Sequence, residues 1–224
     1  TMMKEFNVKK FIFSSTCATY GMPEKFPITE DTPQNPINPY GKTKLVVENI
    51  LKDFEVAYGF KSVIFRYFNA SGANENGQMG ERHNPETHII PLAIKSAMTG
   101  SVFKVFGTDY DTPDGTCIRD YIHIADISSA HILGMKKLLK TNEGGIYNIG
   151  TGTGLSVLEI LNAIEKVSGK KVNRQDIEKR AGDPPRLVAD AKKLKEELGW
   201  NPKNSNVDNI IKTAWIWHNN DAKK

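Results

Sequence analysis

The sequence contains little cysteine and no long apolar stretch, and each absence excludes a class of protein. Two of its 224 residues are cysteine, Cys17 and Cys117. Without a CxxC or Cys/His spacing they form neither a disulfide framework nor a structural zinc site, and they predict a reduced, cytoplasmic setting. No apolar run reaches the roughly 18 residues that a membrane-spanning helix requires, so no membrane partner is predicted.

A strong charge of either sign is also absent, which argues against a nucleic-acid partner. The net charge is +4, from 30 basic and 26 acidic residues. The basic residues are scattered or occur in short pairs such as Lys136-Lys137, which is the pattern of solvated helix faces. The hydrophobic fraction of 39% and the charged fraction of 25% are those of an ordinary globular protein and exclude collagen-like, low-complexity and disordered chains.

Apolar strands alternate with amphipathic helices, which predicts an α/β fold with a parallel sheet. A strand at 11–15, a helix at 41–58 that stops at Gly59, and a strand at 62–67 form a βαβ unit. Further strands are predicted near 102–106, 117–122 and 146–149. Further helices are predicted near 89–99, 125–140, 191–198 and 207–218, and one from a Ser156 capping box to Gly169.

Tyr40 and Lys44 form a YxxxK pattern at the start of the 41–58 helix. Side chains four residues apart share one helix face, and an adjacent ammonium favours the phenolate of a tyrosine, whose pKa is ordinarily near 10. The pair is therefore a candidate for acid–base catalysis. The pattern is weak on its own, and its alternative is a surface tyrosine beside a solvated lysine.

Two other segments lie where a strand meets a helix. Ser14, Ser15 and Thr16 end the first strand, at the edge where open α/β sheets bind ligands, and they either bridge a substrate hydroxyl to a base or only bond the strand-end backbone. The glycine-rich segment 150–154 follows a later strand. It lacks the third glycine of a dinucleotide fingerprint, because Leu155 occupies that position, and it is interpreted as a tight structural loop.

Two polar clusters, at 119–121 and 180–183, each contain an arginine and an aspartate. A guanidinium suits paired phosphates because its planar fork donates two parallel hydrogen bonds, but a salt bridge explains each cluster as well. His88, His123 and His131 show no metal spacing with nearby acids. No metal site is predicted.

Eight segments in order carry a more specific pattern. They are Phe-Ile-Phe-Ser-Ser-Thr at 11–16, Tyr-Gly at 20–21, Pro-Tyr-Gly-Lys-Thr-Lys at 39–44, Arg-Tyr-Phe-Asn at 66–69, Phe-Gly-Thr-Asp-Tyr at 106–110, Asp-Gly-Thr-Cys-Ile-Arg-Asp-Tyr-Ile-His at 114–123, Tyr-Asn-Ile-Gly-Thr-Gly at 147–152 and Arg-Ala-Gly-Asp-Pro-Pro at 180–185. The set covers nearly the whole chain and resembles the UDP-glucose 4-epimerase family of extended short-chain dehydrogenases/reductases.

The resemblance implies a partial doubly wound, Rossmann-type parallel sheet with a smaller C-terminal α/β substrate domain. Residues 1–68 would be the C-terminal part of the NAD-binding domain. Residues 69–224 would form mainly the UDP-sugar-binding domain, with about 117–149 returning to the sheet. The front of the NAD-binding half, with its Gly-rich phosphate loop, is missing from the pattern, so we expect a fragment that neither holds NAD well nor epimerises alone.

Family members are commonly homodimers that pair two helices from each subunit. The 41–58 helix would be one of them. The first residues of the chain show no signal-peptide pattern and look like the last turn of the other helix. A homodimer is therefore expected for the full-length protein.

The implied activity is that of an isomerase, the NAD-dependent reversible inversion at C4 of a UDP-hexose through a 4-keto intermediate. Tyr40 would remove the proton of the 4-hydroxyl. Lys44 would bind the cofactor ribose and, together with the positive nicotinamide, would lower the pKa of the phenol. Thr16 would bridge the sugar hydroxyl and Tyr40. The further NAD contacts that the resemblance implies are Ser14, Ser15, Tyr67 and Phe68.

For UDP-hexose, the resemblance implies that Asn69, Arg119 and Arg180 hold the diphosphate. Asp183 would bind the ribose and Phe106 would contact uracil. The remaining expected substrate contacts are His88, Ile89, Lys104, Tyr121 and Leu187. Leu187 stands at the position that gates the sugar's 2-substituent, and a leucine there makes N-acetylhexosamines possible substrates.

Several alternatives stay open within this resemblance. The protein could act on another UDP-sugar, such as an N-acetylhexosamine or glucuronate, or it could be a non-catalytic remnant that binds UDP-sugars. Nucleotide-sugar 4,6-dehydratases are excluded, because they place an Asp-Glu pair after the threonine and this chain has Cys17-Ala18.

Overall fold

The computed structural model describes residues 2–180 and 182–222. The helices are α1 (Met2–Glu5), α2 (Pro39–Tyr58), α3 (Ile89–Thr99), α4 (Ile124–Thr141), α5 (Val157–Ser168), α6 (Lys192–Leu198) and α7 (Val207–Asp221), and a 3-10 turn spans Cys17–Tyr20. The strands are β1 (Lys10–Thr16), β2 (Lys61–Tyr67), β3 (Asn69–Ser71), β4 (Phe103–Phe106), β5 (Ile118–Arg119), β6 (Tyr121–His123), β7 (Gly145–Ile149), β8 (Leu155–Ser156), β9 (Arg174–Ile177) and β10 (Arg186–Leu187). Among these elements, no helix is both long and apolar enough to cross a membrane.

A parallel sheet in the order β1-β2-β7 forms the central layer. The β1–α2–β2 unit is the predicted βαβ unit, and its register pairs Thr16 with Tyr67 and Tyr67 with Ile149. The carboxyl ends of the three strands therefore meet at one edge. In open α/β sheets this edge is where ligands bind.

The first turn of α2 is fixed against that edge by its capping residues. Asn38 accepts a 2.8 Å hydrogen bond from the Gly41 amide, and Pro39 supplies a helical φ at the first position. A Cβ at Gly41 would lie 2.5 Å from the Ala18 carbonyl oxygen, so the close approach of α2 to the 3-10 turn requires glycine here. The consequence is that Tyr40 lies beside the end of β1.

The rest of the chain forms small sheets, and the described residues build two large apolar cores and a smaller one around Phe68. The pairs β3–β6 and β4–β9 are parallel, and β10-β5-β8 is a mixed sheet. One core lies among α3, α5 and α7, and a second lies between the central sheet and helices α4 and α6. The predicted capping box at Ser156 is confirmed. The division at 68/69 stays a prediction.

The strand predicted near 117–122 is in fact two strands. β5 belongs to the mixed sheet and β6 pairs with β3, so only β7 of the segment 117–149 joins the central sheet as a strand. The break falls at Asp120, which is fully buried. Its carboxylate accepts hydrogen bonds from amides in two other segments, and this tertiary contact ends the run of strand pairing.

A buried ion pair joins α2 to the central sheet. Arg66 on β2 and Glu48 on α2 are 2.6 Å apart, and their side chains are 2% and 0% exposed. Ser15 on β1 also donates to Glu48, and the phenol of Tyr20 accepts from Arg66 at 2.9 Å. Burial would raise the pKa of Glu48, but hydrogen bonds from Arg66 hold the pKa below its usual value. The pair is charged in the folded protein.

Replacing Glu48 with glutamine tests the importance of this pair. We expect Glu48→Gln to lower the free energy of unfolding by about 3–5 kcal/mol, because Arg66 is left as an uncompensated buried charge. The matched control is Glu55→Gln on the same helix, which removes the partly exposed pair with Lys61 and should cost less than about 1 kcal/mol. Urea denaturation measures both. Equal losses in the two variants would contradict the assignment.

Candidate functional site

Tyr40, Lys44 and Thr16 meet at the carboxyl edge of the central sheet. The Lys44 ammonium donates a 2.8 Å hydrogen bond to the Ser14 carbonyl and lies 5.7 Å from the centroid of the Tyr40 ring. The Tyr40 side chain is about half exposed, so a ligand at this edge can reach its hydroxyl. The i, i+4 spacing predicted from the sequence has thus brought a phenol and an ammonium to one face of α2.

The protonation of Tyr40 depends on burial and on a hydrogen bond. Burial raises the pKa of the phenol, and a hydrogen bond with Thr16 only partly opposes this effect. The resemblance implies that Lys44 and the positive nicotinamide together lower this pKa, which stays a prediction. In this structure the Lys44 ammonium is directed to the backbone at Ser14. Tyr40 is a neutral phenol at pH 7 in this structure. It needs an additional favourable contact to become a base.

The other two hydroxyls at the end of β1 are used inside the fold. Ser14 Oγ lies 3.1 Å from His131 Nε2, and His131 Nδ1 lies 2.9 Å from the Ile127 carbonyl, so the network assigns the ring proton to Nδ1 and makes Ser14 the donor. Ser15 is fully buried and donates to Glu48. The hydroxyl of Ser15 is therefore not free to contact a ligand.

A cavity of about 250 Å³ opens beyond the end of β2. Most of the predicted substrate contacts line it, namely Asn69, His88, Ile89, Lys104, Phe106, Arg119, Tyr121, Arg180 and Asp183. The cavity adjoins the β1 edge. Cys17, the residue after Thr16, packs on the same buried cluster as Leu187, and Leu187 pairs with Arg119 of the cavity wall. The fold has thus brought together segments that are far apart in the sequence.

Cations and an aromatic ring are arranged on one wall of this cavity. The guanidinium of Arg180 lies 3.7 Å from the centroid of the Phe106 ring, which is stacking distance. Arg119 forms an ion pair with Asp183 and donates to the Ile118 carbonyl at 2.8 Å. A planar ring beside two arginines suits a ligand with a flat base and an anionic group.

Leu187 and two of the predicted NAD contacts, Tyr67 and Phe68, also lie outside the described lining of the cavity. Leu187 packs against the buried cluster that contains Phe68, and its gating role stays a prediction. Tyr67 packs against the core below the sheet edge and lies 6.5 Å from the His131 ring. Tyr67 is the last residue of β2 and Phe68 follows it, and neither lines the cavity.

The loop at 150–154 is structural, as predicted. The Asp120 carboxylate accepts hydrogen bonds from the amides of Thr151 (2.8 Å), Gly152 (3.0 Å) and Ala189 (3.2 Å). A Cβ at Gly150 would lie 2.6 Å from Asp120, which explains the glycine. Because a protein carboxylate already occupies the loop amides, this loop is not free to bind a phosphate.

The structure also brings together a group that the sequence analysis missed. Glu81, His83, Glu86 and His88, in the loop between β3 and α3, each place one ligand atom within 4.8 Å of the others. A hydrogen bond that His88 donates to Glu81 raises the pKa of the imidazole to about 9. The available signal was the Glu-x-His-x-x-Glu-x-His spacing, which does not belong to any regular helix or strand period.

Known proteins resemble the chain throughout its length. The sequence model of the NAD dependent epimerase/dehydratase family matches residues 1–150. The UDP-glucose 4-epimerase of Lactobacillus helveticus is 50% identical over 222 residues, which cover 99% of this chain and 67% of that protein.

Solved structures confirm the predicted Rossmann-type α/β fold. The UDP-glucose 4-epimerase from Bifidobacterium longum in complex with NAD+ and UDP is 39% identical with a TM-score of 0.90, covering 98% of this chain and 66% of that one. The UDP-Glc/GlcNAc 4-epimerase from Campylobacter jejuni is 43% identical with a TM-score of 0.82, covering 97% and 67%. The chain spans about two thirds of the length of these relatives.

Removing the Asp120 carboxylate tests the structural interpretation of the 150–154 loop. We expect Asp120→Ala to lower the free energy of unfolding by at least about 3 kcal/mol, since it leaves three backbone amides without their acceptor. The exposed Asp111 in the same region is the matched control, and Asp111→Ala should change stability by less than about 0.5 kcal/mol. Thermal and urea unfolding measure the difference. A stable Asp120→Ala variant would refute the role of the carboxylate.

Proposed function

The chain belongs to the NAD dependent epimerase/dehydratase family, and from this premise we propose that the protein catalyses the NAD-dependent, reversible inversion at C4 of a UDP-hexose. UDP-glucose and UDP-galactose are the proposed substrates, and the reaction passes through a 4-keto sugar. The observation that carries the proposal is the position of Tyr40, Lys44 and Thr16 at a sheet edge that adjoins a cavity lined by arginines and Phe106. The proposal concerns the intact protein.

The residues at the sheet edge fit the nicotinamide-ribose end of NAD. The ammonium of Lys44 keeps donors free beyond its bond to Ser14, and these suit ribose hydroxyls. Tyr67 at the end of β2 and Phe68 directly after it would line the nicotinamide side of this edge. The 150–154 loop does not fit the pyrophosphate, because Asp120 occupies its amides. NAD supplies a hydride acceptor that can return the hydride to the same carbon.

Tyr40 is proposed to remove and return the proton of the sugar 4-hydroxyl. Its raised pKa keeps the phenol protonated until a positive charge stabilises the phenolate. The ammonium of Lys44, 5.7 Å from the ring centroid, and the positive charge of a bound nicotinamide would together supply it. Thr16, whose hydroxyl lowers the pKa of the phenol, would bridge it to the sugar hydroxyl. This division of roles accounts for a neutral tyrosine in the free structure.

The cavity is proposed to bind the UDP part of the substrate. Arg119, Arg180 and Asn69 would contact the diphosphate, and Asp183 the ribose hydroxyls, for which it has to exchange its ion pair with Arg119. Phe106 would contact uracil. Lys104, His88, Ile89 and Tyr121 complete the wall. Anchoring through UDP allows the 4-keto sugar to turn over and to accept hydride on its other face.

The choice of sugar is part of the proposal. Leu187 packs with Phe68 below the sheet edge, so its side chain does not extend into the described cavity. This leaves room for a 2-substituent, but UDP-hexoses without an N-acetyl group are proposed first because relatives of 50% and 46% identity are UDP-glucose 4-epimerases. Turnover of UDP-N-acetylgalactosamine at a rate comparable to that of UDP-galactose would favour the N-acetylhexosamine alternative.

A homodimer and a cytoplasmic location are also proposed. The exposed side of α2 carries the apolar residues Val46, Ile50 and Val56, and α1 adds Met2 beside Lys4, which contacts the ring of Tyr58. An apolar surface of this kind is typical of an interface between subunits. Both cysteines are free, which suits a reducing compartment.

Tyr40→Phe tests the proposed catalytic role. In the intact protein with NAD, we expect kcat for UDP-galactose to fall by about 10²–10⁴-fold, since the acid–base hydroxyl is removed. Binding of UDP should not change, because Tyr40 does not line the cavity. Tyr58→Phe, at the other end of α2, is the matched control and should keep kcat. A Tyr40→Phe enzyme with normal kcat would exclude the mechanism.

Arg180→Ala tests the proposed UDP site. We expect the Kd for UDP, measured by calorimetry without added NAD, to rise about 10–100-fold, because one charge-assisted contact of about 1.5–3 kcal/mol is lost. The control is Arg174→Ala on the exposed strand β9, which should bind UDP normally. UDP binding without turnover under any addition of NAD would instead support the non-catalytic UDP-sugar-binding alternative.

A further inference from the structure

Two histidines and two glutamates converge in the loop between β3 and α3. His88 Nδ1 lies 2.6 Å from Glu81 and 2.9 Å from Glu86, and His83 Nδ1 lies 3.0 Å from Glu81 and 3.6 Å from Glu86. The two imidazole rings are 5.1 Å apart, with their Nδ1 atoms directed to the same carboxylates. From this geometry we propose that Glu81, His83, Glu86 and His88 bind one divalent transition-metal ion of the zinc class.

The donor set and its dimensions suit such an ion. Zinc prefers four nitrogen or oxygen ligands in a tetrahedron at about 2.0–2.2 Å, which places the ligand atoms roughly 3.3–3.6 Å from one another. The ligand atoms observed here are separated by 2.6 to 3.6 Å in the four contacts above, and all lie within 4.8 Å. Small side-chain rotations are therefore sufficient to surround an ion. Imidazole nitrogens in the set favour zinc-like ions over magnesium or calcium.

The backbone that precedes the cluster is held by helix α7, through hydrogen bonds that use none of the four side chains. The Trp217 indole on α7 donates a 2.9 Å hydrogen bond to the Glu81 carbonyl, and a Cβ at Gly80 would collide with the same indole. Asn220 on α7 donates to the Gly77 carbonyl at 3.2 Å. These contacts attach residues 77–81 to α7 and hold the backbone of Glu81 in place before an ion binds.

Glu86 and His88 are positioned by the start of α3. The amides of Thr87 and His88 donate to Glu86 Oε1 at 2.7 and 2.8 Å, and such outer contacts orient a ligating carboxylate. His88 is the residue before the first turn of α3, yet its side chain makes no capping hydrogen bond. The imidazole is therefore available as a ligand.

The location of the cluster suggests what the ion does. Glu81 and His88 line the cavity proposed for UDP, whereas His83 and Glu86 do not. A bound ion would join the loop to the start of α3 and fix this wall of the cavity. This role, unlike the metal site itself, rests on the proposed UDP-binding function. It predicts that the metal increases the affinity for UDP without contributing to proton transfer at Tyr40.

Zinc titration of the intact, chelator-treated protein against a chromophoric competitor tests the site. We expect one equivalent to bind, and Co²⁺ in its place to give the visible absorption of a four-coordinate ion. His83→Gln should weaken zinc binding by at least ten-fold. Glu75→Gln changes an exposed carboxylate in the same loop and should bind zinc as the wild type does. Because His83 is about half exposed, its replacement should not disturb folding.

Two results would overturn the proposal. One is the absence of saturable binding at one equivalent, and the other is equal zinc affinity in His83→Gln and Glu75→Gln. Either result would leave the cluster as a set of histidine–carboxylate ion pairs. The titration contains no UDP, so it does not depend on the proposed function. A separate measurement of UDP affinity with and without zinc tests the effect on the cavity.

Discussion

The position of the candidate site depends on the buried ion pair between Arg66 and Glu48. Each partner belongs to a different layer, and Ser15 and Tyr20 bond to the same two groups. The pair therefore fixes how far the start of α2 lies from the end of β1. Tyr40 and Lys44 are carried on that turn of α2. A fully hydrogen-bonded polar network of this kind defines one arrangement, because any alternative packing would leave a charge buried without a partner.

Asp120 fixes the backbone near the cavity, as the ion pair fixes it near Tyr40. Its carboxylate bonds the loop after β7 and the segment after β10, and its carbonyl accepts a 2.9 Å hydrogen bond from the Asn69 amide. Asp120 thereby holds two loops together with Asn69, which lines the cavity. Burial raises the pKa of Asp120, and the amide donors oppose that rise. The carboxylate of Asp120 is thus used to hold the backbone. Arg180 and Lys44 are the charged groups that we expect to contact ligands.

The sequence predicted the central sheet well because its signals are local. An apolar strand, Pro39, a helical period and Gly59 are sufficient to define the βαβ unit. The two-residue strands β5, β8 and β10 were not predictable as separate strands, since tertiary partners and not their own residue pattern decide their pairing. The convergence of His83 and His88 is equally non-local. From residue types alone, Arg119 and Arg180 could not be distinguished from surface salt bridges, and only the resemblance to a family assigned them to a ligand.

The short strands around the cavity have a consequence for how the molecule moves. Pairings of two residues contribute few backbone hydrogen bonds, and local opening requires little free energy where few such bonds and apolar contacts are lost. The central sheet pairs seven residues of β1 with β2 and encloses an apolar core. Amide hydrogens beside Arg119 and Leu187 should therefore exchange with solvent through brief local openings that leave β2 protected. The cavity wall can then open and close on a sheet edge that stays rigid.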